Sequence, residues 1–296
     1  MQEIWVLDEA PGAAVQLPAT DSRASEGRPH TEPETKSDRR PATQVKIIAI
    51  ANQKGGVGKT TTTVNLGAAL AMAGRRVLVI DVDPQANTTS GLGVVPADQE
   101  RTTYDLLVRG EAVSGVAIPT DVEGLHLIPA APDLAGAEVE LVDATGRERR
   151  LSDALNLVTS SYDYVLIDCP PSLGLLTLNA LVAANSVLIP LQCEYYALEG
   201  IGHLLGTLRL VQDRLNPKLD IEGILLTMFD GRLNLSMQVA DEARRHFGEK
   251  VYTTMIPRNV RLGEAPSFGK PITVYDPTCV GAVSYFNLAK EVLGHE

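Results

Sequence analysis

The stretch "VKIIAIANQKGGVGKTTTTVNLG", Val45 to Gly67, decides the fold. It opens on a continuous β-branched run, the composition of a strand buried on both faces of a parallel sheet. Glycines at 55, 56 and 58 interrupt it, Lys59 and Thr60 follow, and a helical pattern runs from Thr61 to Ala73. The phosphate-binding pattern G-x-x-x-x-G-K-[ST] is met at Gly58, Lys59 and Thr60. At position 53, where that pattern has glycine, the chain has Gln53, and an additional lysine, Lys54, stands ahead of the glycines. A strand before the loop and a helix after it are the setting the pattern requires, so a chance match is disfavoured.

Each residue type in the loop has a physical task. Gly55, Gly56 and Gly58, with Val57 between them, let the backbone take conformations closed to other residues and come close to an anion. Successive amides and the start of the helix then face the phosphates. Lys59 is expected to contact the β- and γ-phosphates, the Thr60 hydroxyl to bind Mg²⁺, and Thr61 to add a donor.

Outward from the loop, strands and helices alternate. Strands are expected over 75–81, 124–130, 162–170, 185–192, 220–229 and 250–257, and helices over 151–160, 175–184, 198–215, 237–247 and 280–293. Such alternation specifies an α/β fold, a doubly wound and mainly parallel sheet with right-handed crossovers. Ligands of such sheets bind at the carboxyl ends of the strands.

Two of those ends carry aspartates. In "YVLIDCPPS", Asp168 follows a hydrophobic strand, where a metal-holding carboxylate of a nucleotide site belongs. In "VLVIDVDPQ", Asp81 and Asp83 share one face of an extended segment, so that one could support the metal shell and the other orient a water.

Composition narrows the function class. The 296 residues are 44% hydrophobic, enough for a sizeable core. Residues 1 to 44 are rich in Pro, Ser, Thr, Glu and Arg and are expected to form a disordered tail, so the folded domain is expected to span 45 to 296. No apolar run reaches the roughly 18 residues that span a bilayer, and the N-terminus lacks a signal-peptide pattern, so a cytoplasmic protein is expected. Cys169, Cys193 and Cys279 are far apart, which suggests neither a disulfide framework nor a zinc site. The net charge of −11 argues against an indiscriminate nucleic-acid binder, although Arg209 to Lys270 holds ten Lys/Arg against eight Asp/Glu.

The segments "KGGVGKTT", "DVDPQANTTSGLG", "YDYVLIDCPPSLGLLTLNAL", "CEYYALEG", "TMFDGRLN" and "IPRNVRLGEAPSFGKPI" occur in this order. Together they resemble the ParA/Soj chromosome and plasmid partition ATPases, a branch of the deviant Walker A, MinD-like group of P-loop NTPases. The resemblance covers residues 45 to 293. It implies that Lys54 crosses a dimer interface to the phosphates of nucleotide on the opposite subunit, where a cation from each partner offsets enclosed phosphate charge. ATP binding would then drive formation of a sandwich homodimer, and hydrolysis would undo it.

The same resemblance implies further roles. Asp83 would position the attacking water, with 84–93 as switch I and 168–174 as switch II. Pro257 and Asn259 would line the adenine pocket. Arg232 and Arg261 match positions linked to DNA contact; Arg244, Arg245, Lys250 and Lys270 are weaker candidates and could equally be solvated side chains. Binding to double-stranded DNA would be non-specific and salt-sensitive. Intrinsic turnover would be slow, stimulated by a ParB/Spo0J-type centromere-binding partner, and the ATP state would associate with the nucleoid.

Rival classes leave different marks. A MinD-like ATPase that regulates placement of cell division at the membrane would carry a basic amphipathic C-terminal helix. Here "GAVSYFNLAKEVLGHE" has Lys290 against two glutamates and is expected to pack as an ordinary terminal helix. An iron–sulfur reductase would need a companion for Cys169, and a metabolic kinase or ligase would need an acceptor site.

Overall fold

The computed structural model describes residues 45–156, 161–194 and 197–294. The tail expected over 1–44 and the last four residues of the helix expected over 151–160 lie outside them. The strands are β1 (Lys46–Ile50), β2 (Val77–Asp81), β3 (Ile118–Pro119), β4 (Leu125–Ile128), β5 (Tyr164–Asp168), β6 (Ser186–Gln192) and β7 (Asp220–Thr227). They form one sheet in the order β3-β4-β2-β5-β1-β6-β7. All neighbours are parallel except β3, a two-residue edge strand antiparallel to β4 that the sequence pattern did not signal.

The helices are α1 (Lys59–Met72), α2 (Asn87–Gly91), α3 (Val113–Val116), α4 (Leu134–Glu140), α5 (Arg150–Leu155), α6 (Leu175–Ala183), α7 (Ala197–Arg214), α8 (Asn234–Phe247), α9 (Val260–Glu264), α10 (Ile272–Tyr275) and α11 (Val280–Gly294). Strand alternation divides the core between two sheet faces. Leu78, Ile80, Val165 and Ile167 pack with Leu155, Leu181, Leu204 and Val239 from α5 to α8. Val77, Val79 and Leu166 pack with Leu66 and Leu70 of α1 and with Tyr285, Leu288 and Val292 of α11. Each such side chain contributes about 1.5–3 kcal/mol on burial. Because both faces are covered, β2 and β5 are buried at every position, which is why they read as unbroken apolar runs. Tyr285, Leu288 and Val292 of α11 are consumed in this packing, while Val280 and Val283 stay exposed.

The segment 250–257 departs from its expected strand. It forms only isolated bridges, Ile224 with Val251 and Phe229 with Pro257. Between them the chain turns to α11, where the amides of Thr253 and Thr254 donate to the Glu291 carboxylate at 2.9 and 2.7 Å. A charged acceptor on a neighbouring helix captures the donors that a continuous ladder would need.

Register positions the site. Ile50 and Asp81 both pair with Asp168, which aligns the carboxyl ends of β1, β2 and β5 in one row. The chain passes from β1 over β5 to β2, and from β5 back over β1 to β6, so the order reverses beside that row. A ligand crevice opens at such a point.

Candidate active site

The loop after β1 is tied down at both shoulders. The Asn52 side chain donates to the Pro190 carbonyl at 2.7 Å and accepts from the Lys54 amide at 3.0 Å. The Thr227 hydroxyl, at the end of β7, donates to the Val57 carbonyl at 2.8 Å. Gly58 caps α1 with φ 92°, a left-handed conformation that strains any residue with a Cβ. The first turn of α1 therefore presents amides without intrahelical acceptors to the crevice. The Lys59 side chain is buried, and its ammonium donates to the Lys54 carbonyl at 3.2 Å. Burial lowers its pKa, while the negative field of Asp168 and Asp83 pulls it back up.

Asp168 gathers three hydroxyls. Thr60 and Thr88 each donate to its Oδ2 at 2.7 Å, and Thr63 donates to Oδ1 at 3.2 Å. The carboxyl is wholly buried, and desolvation raises its pKa against the pull of the Thr88 and Thr60 hydrogen bonds. Asp81, its neighbour across the sheet, is also raised, first by burial and then by the charge of Asp168. Its own acceptors are engaged by the Thr89 amide and hydroxyl at 2.9 and 2.7 Å and by the Asp83 amide at 3.1 Å. Asp81 thus ties the loop 82–89 to β2. Asp83, 8% exposed, faces the crevice with one oxygen accepting from the Gln85 amide at 3.0 Å.

The crevice holds about 630 Å³, floored by Gly55, Gly56, Gly58, Lys59, Thr60 and Thr61, with Asp83 and Gln85 on one wall and Pro266, Ser267 and Lys270 on the other. A second cavity of about 530 Å³, with Pro257, Asn259, Ile256 and Leu262 in its lining, shares Gly58, Thr61 and Met228 with the first. The first, floored by the glycine loop, is the more polar of the two, and the other is largely apolar. Asn259 also caps α9, its side-chain oxygen accepting from the Arg261 amide at 2.8 Å. The paired arrangement accommodates a polyphosphate joined to a flat apolar group. The oxygens of Thr60 and Asp168 are the hard donors that a small divalent cation takes when phosphate and water complete its shell.

Five of the expected residues line neither cavity: Val57 and Asp168, which are buried behind the polar one, and Lys54, Arg232 and Arg261. Lys54 points to Glu194, with its ammonium 3.7 Å from the carboxylate. Arg232, on the loop after β7, is 89% exposed and closes on Asp230 through two hydrogen bonds of 2.9 and 2.7 Å. Arg261 pairs with Glu264 at 2.9 Å and lies 3.7 Å from Asp276. Conversely, Thr63, Thr88, Thr89, Thr227 and Lys270 were not singled out for this site from sequence. Only Thr63 had a readable signal: it lies three residues after Thr60 on the same face of a helix.

Residues 45–221 match the family model of the AAA domain. The sporulation initiation inhibitor protein Soj of Bacillus subtilis (strain 168) is 62% identical over 83% of this chain and 98% of its own length. The chromosome partitioning protein ParA of Myxococcus xanthus (strain DK1622) is 56% identical over 85% and 89%. Among solved structures, cobyrinic acid a,c-diamide synthase from Mycobacterium smegmatis, with bound ADP and magnesium, superposes with a TM-score of 0.75 at 39% identity, covering 85% of this chain and 95% of that one. The identity and coverage of the partition proteins, together with a phosphate loop preceded by Lys54, assign this chain to the Soj/ParA family of chromosome-partitioning P-loop proteins.

Proposed function

We propose that the chain is a partition ATPase that hydrolyses ATP with Mg²⁺, slowly on its own, and that its domain spans 45–296 behind an N-terminal tail. The observation that carries this reading is the pair of cavities joined at Gly58, Thr61 and Met228, with the Thr60–Asp168 oxygens beside the polar one. In this reading Gly55 to Thr61 bind the phosphates through their amides, with Lys59 as the fixed cation. Pro257 and Asn259 flank the adenine. Thr60, and Asp168 through water, hold the Mg²⁺, which supplies charge that offsets the phosphate oxygens. Asp83 orients the attacking water from the opposite wall.

Lys54 completes the site of a second copy. Its exposed contact with Glu194 is weak enough to be exchanged for a phosphate across a homodimer interface. Arg232 and Arg261, both exposed, then form a doubled basic surface for non-specific double-stranded DNA, so that the ATP state is held on the nucleoid. A ParB/Spo0J-type protein stimulates hydrolysis and release. The packing of Tyr285, Leu288 and Val292 of α11 with α1 and the sheet supports this reading over a membrane-bound MinD-like regulator, whose C-terminal helix would keep a basic amphipathic face free for lipid.

The test is duplex DNA binding by wild type, Lys59→Ala and Arg261→Glu with ATP, ADP or no nucleotide across a salt series. Binding by wild type with ATP alone, weakened by salt, is expected. Nucleotide-independent or absent DNA binding would overturn the partition cycle.

A further inference from the structure

One wall of the polar cavity has no assigned task. Ala265, Pro266, Ser267 and Lys270 line the cavity together with the glycine loop, and Lys270 is the last of the four. Unlike Lys54, Arg232, Lys250 and Arg261, whose cations are neutralised by carboxylates, Lys270 has no ion pair or side-chain hydrogen bond to any described residue. It is an uncompensated positive charge on the rim of a site built for an anion.

Its backbone is fixed on both sides to elements of that site. Immediately before it, Gly269 meets Gly93, the last residue of the proposed switch I. A Cβ on Gly269 would lie 2.6 Å from the Gly93 Cα, and one on Gly93 would lie 2.9 Å from the Gly269 carbonyl oxygen. Both residues have positive φ, 61° and 82°, so neither position tolerates a side chain by conformation or by space. Immediately after it, Pro271 restricts the chain, and the Ile272 amide donates to the Asn65 side chain at 2.6 Å. Asn65 in turn donates to the Thr61 carbonyl at 2.7 Å, within the first turn of α1. Lys270 is therefore suspended between the switch I segment and the helix that carries Lys59.

We propose that Lys270 is a second phosphate-contacting cation of this nucleotide site, held on its rim by the backbone contact of Gly93 with Gly269. The proposal rests on the ATP-binding reading above. Movement of the switch I segment would carry this cation with it, because the two backbones leave no gap to slide.

The test titrates the full chain with fluorescent ATP and ADP analogues, comparing wild type with Lys59→Ala, Lys270→Ala, Lys270→Arg, Gly269→Ala and, as a surface control, Lys250→Ala. Lys270→Ala is expected to weaken ATP-analogue binding roughly five- to tenfold at low salt, by less at high salt, with Lys270→Arg restoring most of it. Gly269→Ala should weaken binding although Lys270 is intact, and Lys250→Ala should bind as wild type. Thermal melts should leave Lys270→Ala nearly unchanged, since its ammonium has no ion pair or hydrogen bond to any described residue. Wild-type affinity in Lys270→Ala, while Lys59→Ala fails to bind, overturns the proposal alone. The same holds if Lys270→Ala loses only duplex DNA binding, which would place the cation on the DNA face. Failure of wild type to bind either analogue overturns the nucleotide reading together with it.

Discussion

The Thr88 hydroxyl donates to the Asp168 carboxylate at 2.7 Å, a buried side-chain hydrogen bond that fastens the segment after β2 to the end of β5 across 80 residues of sequence. It ends on the same carboxylate oxygen that accepts from Thr60, and both Thr88 and Asp168 are fully buried. Thr88→Val keeps the volume and removes the donor. The carboxylate then loses one of three hydroxyls in a place water does not reach, at a cost of about 1–3 kcal/mol. A lowered thermal midpoint and slower Mg²⁺-dependent ATP hydrolysis are expected in Thr88→Val. An unchanged melt would mean that Thr60 and Thr63 suffice to solvate Asp168.

Arg232 gives a prediction of opposite sign. Asp230 holds its guanidinium by two hydrogen bonds in open solvent, and a DNA phosphate must compete with it. Asp230→Asn removes the competing charge and should strengthen duplex DNA binding several-fold at low salt. Arg232→Ala should weaken it and flatten the log–log salt dependence by about one unit per protomer. Acidification will not imitate the aspartate change. Hydrogen bonds from Arg232 hold the Asp230 carboxyl down at about 2, so the pair persists from pH 8 to pH 5. Filter binding at both pH values and a salt series on the three proteins provide the check. Weaker binding by Asp230→Asn would turn the assignment around, making Asp230 an organiser of the loop.

What the sequence disclosed and what it withheld follow one division. The run Val45 to Ile50, the glycines to Gly58 and the aspartate ending "YVLID" are local patterns, and each lies in the element and at the end expected of it. Thr88 on Asp168, Asn65 on Ile272 and Gly93 on Gly269 join residues 80 to 207 positions apart, and no local period encodes them. The one expected strand that failed to form, 250–257, shows the same cause. Its β-branched composition suggested a strand, but Glu291 on α11 took two of its amides, and only isolated bridges formed.

At the other end of the sheet, Arg76 and Asp163 offer a stability test away from the site. The Asp163 carboxylate accepts from the Arg76 amide at 2.8 Å and from its guanidinium at 2.7 Å, where β2 and β5 begin side by side. The Arg76 hydrogen bond holds the Asp163 pKa below the ordinary carboxylate value. A carboxyl depressed in the folded state stabilises above its unfolded pKa, about 3.9, and that contribution is lost as pH falls through the folded value. Asp163→Asn should therefore cost about 1 kcal/mol near neutral pH, allowing for solvent screening of a pair half open to water. The gap to wild type should stay level from pH 8 to pH 5 and close only below about pH 4. Urea unfolding at four pH values measures it, and a gap that shrinks near neutrality would assign the stabilisation to another group.

Lys54 separates folding from assembly. Its ammonium is 37% exposed and lies 3.7 Å from Glu194, itself half exposed, a separation and setting worth about 0–1 kcal/mol. Lys54→Ala should therefore leave the thermal midpoint of the nucleotide-free chain nearly unchanged. Its ammonium lines neither cavity, and Gly55 to Thr61, Pro257 and Asn259 remain in place, so binding of an ATP analogue to the monomer should fall little. Dimerisation is different, because two nucleotides enclosed between two copies bring phosphate charges together, and removing one cation from each copy leaves them unopposed. Light scattering with ATP should report a dimer for wild type and a monomer for Lys54→Ala, while ADP leaves both monomeric. A wild-type dimer in Lys54→Ala would show that the glycine loop and Lys59 neutralise the phosphates unaided, and Lys54 would then be a surface lysine paired with Glu194.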